Sequence, residues 1–531
     1  MDCTATRLPY KQTGYYSKII TDYLDQSPSI KPFYKHPVSL DGITSAIRSR
    51  KEFLTNRQVL VEVLKKQYSS IKMTAKVTEN IELLLKDQCF TITTAHQPAI
   101  FTGTLYFIYK ILHTIKLSEY LSQALPGNHF VPVFYMGSED ADLEELGKIY
   151  LDEQEILWDT RQTGAVGRMK TKGLEMILNR IEGEYSVQPH GSELIKLLKD
   201  CYLNSEDIQT ATFKLIDALF AEYGVVVLIP DNRDLKKLMV PIFEDELFHE
   251  KSATILDEPL KQLEREYKVQ AHPREINLFY LKDDLRGRIE RSGDQFIIHD
   301  SKIVFSESAM REELKLYPER FSPNVILRGL FQETILPNLA FIGGGGELAY
   351  WLELKALFEY YHVPYPVLIL RNSFLIVESR WKEKLSRAGI GLEEIFKPAE
   401  ELVNELVRKE SSNQLSLANE INGAEEYYKH LKTLSGSIDP TLTQHVEALQ
   451  SKALKPLREL EKKFLKAEKR KFEEQERQIA QIRSSLFPLN NLQERIENFI
   501  PYYARLGKSF IDLIYRNSSS LEQEFCILEE C

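Results

Sequence analysis

The stretch "FIGGGGELAYWLELKALFEYY" runs from Phe341 to Tyr361 and sets four consecutive glycines, Gly343, Gly344, Gly345 and Gly346, between an apolar run and a strongly helical segment. The residues "LAFI" before them read as a strand, and the helix is expected to begin near Glu347. In an α/β sheet this junction is the carboxyl end of a strand, the place where ligands bind. A tight turn needs one or two glycines, and each further one costs roughly 0.5–1 kcal/mol relative to alanine in regular structure. Two readings are open: a simple strand-to-helix turn, or a loop that lets backbone approach an anion at the free N–H groups of a helix start. The number of glycines favours the second. The run fits neither the Walker pattern nor GxGxxG.

Outward from this loop the pattern is α/β. "CFTITTAHQ" (Cys89–Gln97) reads as a strand, Gly103–Leu125 as a helix with apolar residues three and four apart, and "NHFVPVFYMGSED" (Asn128–Asp140) as a strand ending in acids. Strand, helix, strand at this spacing is a βαβ unit with a parallel sheet and a right-handed crossover. "EYGVVVLIPD" (Glu222–Asp231) and "PVLILR", ending at Arg371, supply further strands. The polar, mixed segments at roughly 152–222 and 232–319 read as insertions, the second holding a hairpin over Gly293–Ser308 with "HDSK" at its turn. The Rossmann-like core is therefore expected over 1–380, a helical coiled-coil domain over 381–515 and a tail over 516–531.

In the helical part, Leu442, Val446, Leu449, Ala453, Leu457, Leu460 and Phe464 recur at three- and four-residue steps, and Ile479, Ile482 and Leu486 resume the stripe. Pro456 is placed to kink it, and Ser435–Thr441 to break it. Such a stripe serves an intramolecular hairpin or a dimerisation arm, and the two are compatible.

Composition narrows the class. The chain has 531 residues, 43% of them hydrophobic and 27% charged, with a net charge of −10. An acidic balance argues against a sequence-blind nucleic-acid binder. No secretory signal or bilayer-length apolar run is read. Five scattered cysteines (Cys3, Cys89, Cys201, Cys526, Cys531) fit a reducing compartment rather than a disulfide framework or zinc site. A cytoplasmic protein is expected.

Three more stretches could carry chemistry. In "TTAHQPAIFTGTLYFIYK", His96 and Gln97 leave a strand, Thr102 and Gly103 form a turn, and Tyr106 and Lys110 share a helical face. His96 could donate to phosphate oxygens, or be an ordinary hydrogen-bonded loop histidine. In "GSEDADLEEL", Glu139, Asp140 and Asp142 could bind an ammonium group, hold Mg²⁺ or act as general base; alternatively Asp140 or Asp142 caps the following helix. In "FSPNVILRGLFQETILP", which includes Asn324, Arg328 and Gln332 share a helical face beside Glu333. Arg328 and the strand-end Arg371 suit carboxylates or phosphates, and a plain Arg–acid surface pair is the other reading. His113, His190 and His249 show no metal-ligand spacing, no metal site is assigned, and neither GxSxG nor CxxC is present.

These stretches, with "HQPAIFTGTLYFIYKI", "VPVFYMGSEDADLEEL" and the closing "NLQERIENFIPYYARLGKSFIDLI", closely resemble the bacillithiol-biosynthesis cysteine-adding enzymes, the BshC family, in the same order along most of the chain. The resemblance implies a Rossmann-like core with two connective-peptide insertions and a coiled-coil domain supporting a homodimer. It implies a ligase joining the cysteine carboxyl to the amine of glucosaminyl-malate. By analogy with class I synthetase-like cores, ATP, with or without Mg²⁺, would activate cysteine as the adenylate. On this reading His96, Glu139, Asp140 and Asp142 are catalytic. Gln97, Thr102, Gly103, Tyr106, Lys110, Asn324, Arg328, Gln332, the glycines, Glu347 and Arg371 bind nucleotide or substrate. The chain departs from the family pattern at "TAHQP", where many members carry a glycine and a second glutamine, and at Ala141, where many carry histidine; the acid–base role then passes to His96. Ala141 is also what favours a different class, a non-catalytic dimeric nucleotide-binding scaffold. A transferase with another substrate, or another acyl donor, is the remaining alternative.

Overall fold

The computed structural model describes residues 4–529. Its centre is a five-stranded parallel sheet: β1 (Cys89–His96), β2 (His129–Met136), β3 (Val226–Leu228), β4 (Asn338–Gly343) and β5 (Val367–Leu370), in the spatial order β5-β4-β1-β2-β3. This is a doubly wound Rossmann-like order, and it reverses direction at β1, between β2 and β4. The registers align the carboxyl ends: His96 pairs with Met136, Tyr135 with Leu228, and Gly343 with Leu370.

Both faces of the sheet are covered, as an all-parallel sheet requires. Every residue of β1 is buried, and its threonines are satisfied inside: Thr93 donates to Asn338 Oδ1 and Thr94 to the Ile342 carbonyl, each at 2.8 Å. Helix α1 (Tyr106–Ala124) packs Leu117 and Leu121 onto Phe90 and Ile92, and a helix over Leu40–Lys51 brings Ile43 and Ile47 to the same core. Each such side chain contributes roughly 1.5–3 kcal/mol by leaving water.

The insertions differ in kind. After β2 come a hairpin (Lys148–Leu151 with Gln154–Leu157) and three helices between Leu174 and Phe220. After β3 comes a five-stranded antiparallel sheet, which includes the expected hairpin, pairing Val304 with Ile297. Helix α2 (Val325–Ile335) follows it and leads into β4, and helix α3 (Gly345–Glu353) leaves the glycine loop. Helix α3 starts two residues before the expected Glu347, because the Glu347 carboxylate turns back to accept the Gly344 N–H at 2.8 Å.

The chain divides into two compact units, and the core unit joins Ala5–Leu375 with Asn491–Cys526. The segment after Asn490 thus rejoins the core, where the sequence reading continued the helical domain to 515. The second unit is built on Ile376–Asn490. In it Ala418–Ile438 and Leu442–Lys469 form a hairpin tied by Arg458 to Glu425 at 3.3 Å, and the second helix runs unbroken through Pro456. Ile479, Ile482 and Leu486 are buried, whereas Leu442, Leu449, Leu460 and Phe464 of the long stripe are exposed. Among the described residues no helix is long and apolar enough to cross a membrane. Cys89, Cys201 and Cys526 are buried and unpaired; Cys3 and Cys531 lie outside the described residues.

Candidate active site

All five strands of the parallel sheet end at one cavity of about 330 Å³. Ala95 to Gln97 come from β1, Gly137 to Asp140 from β2, Pro230 from β3, Gly344 to Glu347 from β4 and Arg371 from β5. The glycine loop, His96 and two of the three acids therefore meet, which is what the strand order requires of a ligand crevice.

None of the four glycines has a positive φ, so turn geometry does not demand them. Their reasons differ. A Cβ on Gly343 would lie 2.8 Å from the Phe341 ring, and Gly343 sits inside β4 rather than on the cavity wall. A Cβ on Gly346 would meet nothing within 4 Å, because it would project from an exposed position on the cavity wall. Packing thus accounts for the first glycine, and open space at the cavity is left by the last.

Lys110, one turn along α1 from Tyr106, donates to the Ala95 carbonyl at 2.9 Å and pairs with Glu347. Burial pushes the Glu347 carboxyl up, but Lys110 and the Gly344 N–H outweigh it and hold the group below the usual carboxylate range. Arg371 is buried, donates to Glu494 at 2.7 Å, and stays charged because Glu494 outweighs its desolvation. Arg328 donates to the Tyr350 hydroxyl.

His96 is linked to the acids through Gln97. Its Nδ1 lies 2.7 Å from Gln97 Oε1, and Gln97 Nε2 donates to Asp140 Oδ2 at 3.1 Å. The Gln97 backbone N–H donates to the same Nδ1 at 2.7 Å, and Nε2 lies 3.1 Å from the Tyr106 hydroxyl. Burial, reinforced by Lys110, lowers the His96 pKa to about 3. The ring is neutral at ordinary pH and a weak proton acceptor, so its geometry suits orienting Gln97 and Asp140 more than the acid–base role assigned from sequence.

Glu139 pairs with Lys236, which is fully buried on the short helix Arg233–Lys237, donates to the Glu319 carbonyl at 3.1 Å and faces Asp231 at 3.9 Å. Arg168 clamps Asp231 through two bonds of 2.6 and 2.7 Å. Burial raises the Glu139 carboxyl above its ordinary range against the pull of Lys236, the direction that makes a carboxylate a better base near neutrality.

Other sequence candidates are not on the cavity wall. Asp142 is the cap of Leu143–Leu146, accepting the Glu145 N–H at 3.0 Å. Thr102 and Gly103 (φ 67° and 66°) form a left-handed turn whose Gly103 carbonyl accepts from Asn498; a Gly103 Cβ would lie 2.9 Å from that of Ala99. Gln332 is buried away from Arg328 and donates to Glu333 at 3.0 Å, while Glu333 pairs with Arg50 at 2.7 Å. Asn324 does line the cavity, and it caps α2 through the Ile326 N–H. Residues that sequence reasoning missed are Lys236, Tyr350, Arg286 and Arg495, the last two reaching the wall from the second insertion and the returning segment. Among the described residues no three His, Cys, Asp or Glu side chains group as a metal cage. A Mg²⁺ arriving with nucleotide phosphates needs only one or two carboxylates, and Asp140 and Glu145 line the wall.

The fold defines a Rossmann-like protein with a polar cavity at its strand ends and a separate helical unit. Comparison with known proteins gives the family. "Bacillithiol biosynthesis BshC, N-terminal Rossmann-like domain" matches residues 1–372, and "Bacillithiol biosynthesis BshC, C-terminal coiled-coil domain" matches residues 374–530. Relatives named "Putative cysteine ligase BshC" include one from Flavobacterium johnsoniae, 38% identical over 98% of this chain and 99% of its own. Another, from Cytophaga hutchinsonii, is 38% identical over 96% of each chain. A third, from Chloroherpeton thalassium, is 27% identical over 94% of each. The chain belongs to the BshC family, with a role in bacillithiol biosynthesis.

Proposed function

We propose that the chain is a ligase that joins the carboxyl of cysteine to the amine of glucosaminyl-malate through an activated cysteine. The activating donor is ATP. A cysteine carboxylate oxygen attacks the α-phosphorus and pyrophosphate leaves; the sugar amine then attacks the acyl carbon, a proton leaves the nitrogen, and AMP departs. The observation that supports this most is the convergence of all five strand ends on one cavity carrying both cations and carboxylates.

The residues divide the work by chemistry. Gly344 to Gly346 let backbone come close to phosphate, with Arg328 nearby on α2 and Lys110 on α1. Asp140, fixed by Gln97, holds the cysteine ammonium, and Glu139, raised by burial, takes the proton from the incoming amine. We infer a homodimer through the helical unit, whose exposed Leu442, Leu449, Leu460 and Phe464 would then be covered.

Purified protein with cysteine, ATP and glucosaminyl-malate tests the reading: thiol product and pyrophosphate should appear together, and Glu139→Gln should abolish most of both. Product formed without pyrophosphate would remove the adenylate. No product with any donor would remove the ligase.

A further inference from the structure

The cavity holds more cationic groups than its own acids neutralise. Lys110 is paired with Glu347, Arg371 with Glu494, and Lys236 with Glu139. Arg286 has no carboxylate within ion-pair distance among the described residues, and its Nε is buried without a hydrogen-bond partner. An unpaired buried donor on a guanidinium is costly, and a cavity wall is the place where a ligand can satisfy it.

We propose that Arg286, mounted on the second insertion, is the specificity-determining residue that grips a carboxylate of the acceptor substrate. The inference rests on the ligase reading, in which the acceptor's malyl group brings the carboxylates.

The mount is rigid. Arg286 is the second residue of the strand Leu285–Ser292, pairs across the hairpin with Leu281, and lays its guanidinium over the Phe279 ring at 3.7 Å. Stacking fixes the plane of the fork and leaves its edge for a bidentate carboxylate. The hairpin turn is held from outside by the first insertion. Thr163 donates its hydroxyl to the Asp284 carbonyl at 3.0 Å, and Gly164 (φ 88°) approaches so closely that a Cβ there would lie 2.7 Å from the same oxygen. Two insertions that the parallel sheet does not need thus cooperate to position one arginine.

The nearby acids do not compete for it. Glu139 and Asp140 face Arg286 without reaching ion-pair distance, Glu139 being occupied by Lys236 and Asp140 by Gln97 and the Ala141 N–H. Burial lowers the guanidinium's affinity for its proton, so an anion is the ligand that relieves its desolvation. The wall it shares is also distinct from the glycine loop. The strand Leu278–Lys282 beside it pairs with Phe321–Pro323, and Ser322 to Asn324 continue that wall. Arg328, by contrast, bonds Tyr350 on the helix that leaves the glycine loop. Phosphate and carboxylate are therefore served by different arginines.

Titration calorimetry on the full chain tests this with four probes: glucosaminyl-malate, the methyl glycoside of glucosamine (which lacks both carboxylates), ATP and cysteine. Arg286→Met should weaken glucosaminyl-malate binding about 10- to 100-fold. The methyl glycoside, ATP and cysteine should bind the variant as they bind the wild type. Arg286→Lys, which keeps charge but not the fork, should fall between, and an unchanged thermal midpoint in either variant certifies the fold. Unchanged glucosaminyl-malate binding in Arg286→Met overturns the proposal. So does an equal loss for the methyl glycoside, or a loss confined to ATP, which would make Arg286 a phosphate ligand. A wild type that binds glucosaminyl-malate through Arg286 yet forms no product would sink the ligase reading and leave this assignment standing. A wild type that does not bind it at all overturns both.

Discussion

Arg371 and Glu494 form a fully buried ion pair at 2.7 Å although 123 residues separate them. Arg371 ends β5, and Glu494 belongs to the segment that rejoins the core after the helical unit. The second Glu494 oxygen accepts the Phe374 N–H at 3.3 Å, so one carboxylate fixes both the strand exit and the cation on the cavity wall. Removing one partner of such a pair strands the other charge without solvent. Glu494→Ala should therefore cost about 3–5 kcal/mol in denaturant unfolding. Glu494→Gln, which keeps one acceptor, should cost less. A loss below about 1 kcal/mol for the alanine variant would show that solvent reaches Arg371.

The glycine loop allows a paired test. Gly343→Ala places a methyl 2.8 Å from the Phe341 ring and should destabilise the fold by about 1–3 kcal/mol. Gly346→Ala meets nothing within 4 Å, lies in the first turn of α3, and should leave stability unchanged or raise it by up to about 1 kcal/mol. Nucleotide binding should fall in Gly346→Ala. Equal nucleotide affinity in Gly346→Ala and wild type would mean that the open space there serves no ligand.

The neutral His96 ring gives a pH signature. Its folded pKa is lowered to about 3 from the ordinary value of 6.5. The unfolded chain takes up this proton first, so the stability linked to His96 is complete above the unfolded value and is lost as pH falls from there toward the folded one. At about pH 5 the loss amounts to roughly 2 kcal/mol. His96→Gln should show a shallower decline in unfolding free energy between about pH 7 and about pH 5 than the wild type does. Parallel curves would place the ring in contact with solvent.

What the sequence made legible, and what it hid, follows from contact range. The strand ends, the glycine run, and the Tyr106–Lys110 face are local patterns, and each lands where periodicity put it. The acids were ambiguous because capping and catalysis use the same residue types: Asp142 caps a helix, while Glu139 and Asp140 face the cavity. Arg328 and Gln332 share a helical spacing, yet only Arg328 lines the cavity, since Gln332 is drawn toward the buried Arg50–Glu333 pair. Arg286, Lys236 and Arg495 carried no local signal. Their positions depend on the packing of insertions and of a returning segment, and no spacing rule encodes that.

Lys236 offers a test of the acid pair. Burial already raises the Glu139 carboxyl, and Lys236 is the chief cation opposing that rise. Lys236→Met should lift it further. If Glu139 must be ionised to accept a proton, the acidic limb of the kcat/KM profile shifts to higher pH in the variant, with less change in kcat/KM on the alkaline side. A limb that stays where it is in the wild type would take Glu139 out of the proton transfer.

In the proposed reaction the nucleotide and the thiol substrate meet above the carboxyl ends of the parallel sheet. A crystal structure with a non-hydrolysable sulfamoyl analogue of cysteinyl-adenylate tests it most directly. The sulfamoyl group should lie against Gly344–Gly346 and the cysteine ammonium at Asp140. An analogue bound outside this cavity, or turned with its amine toward the glycines, would contradict it.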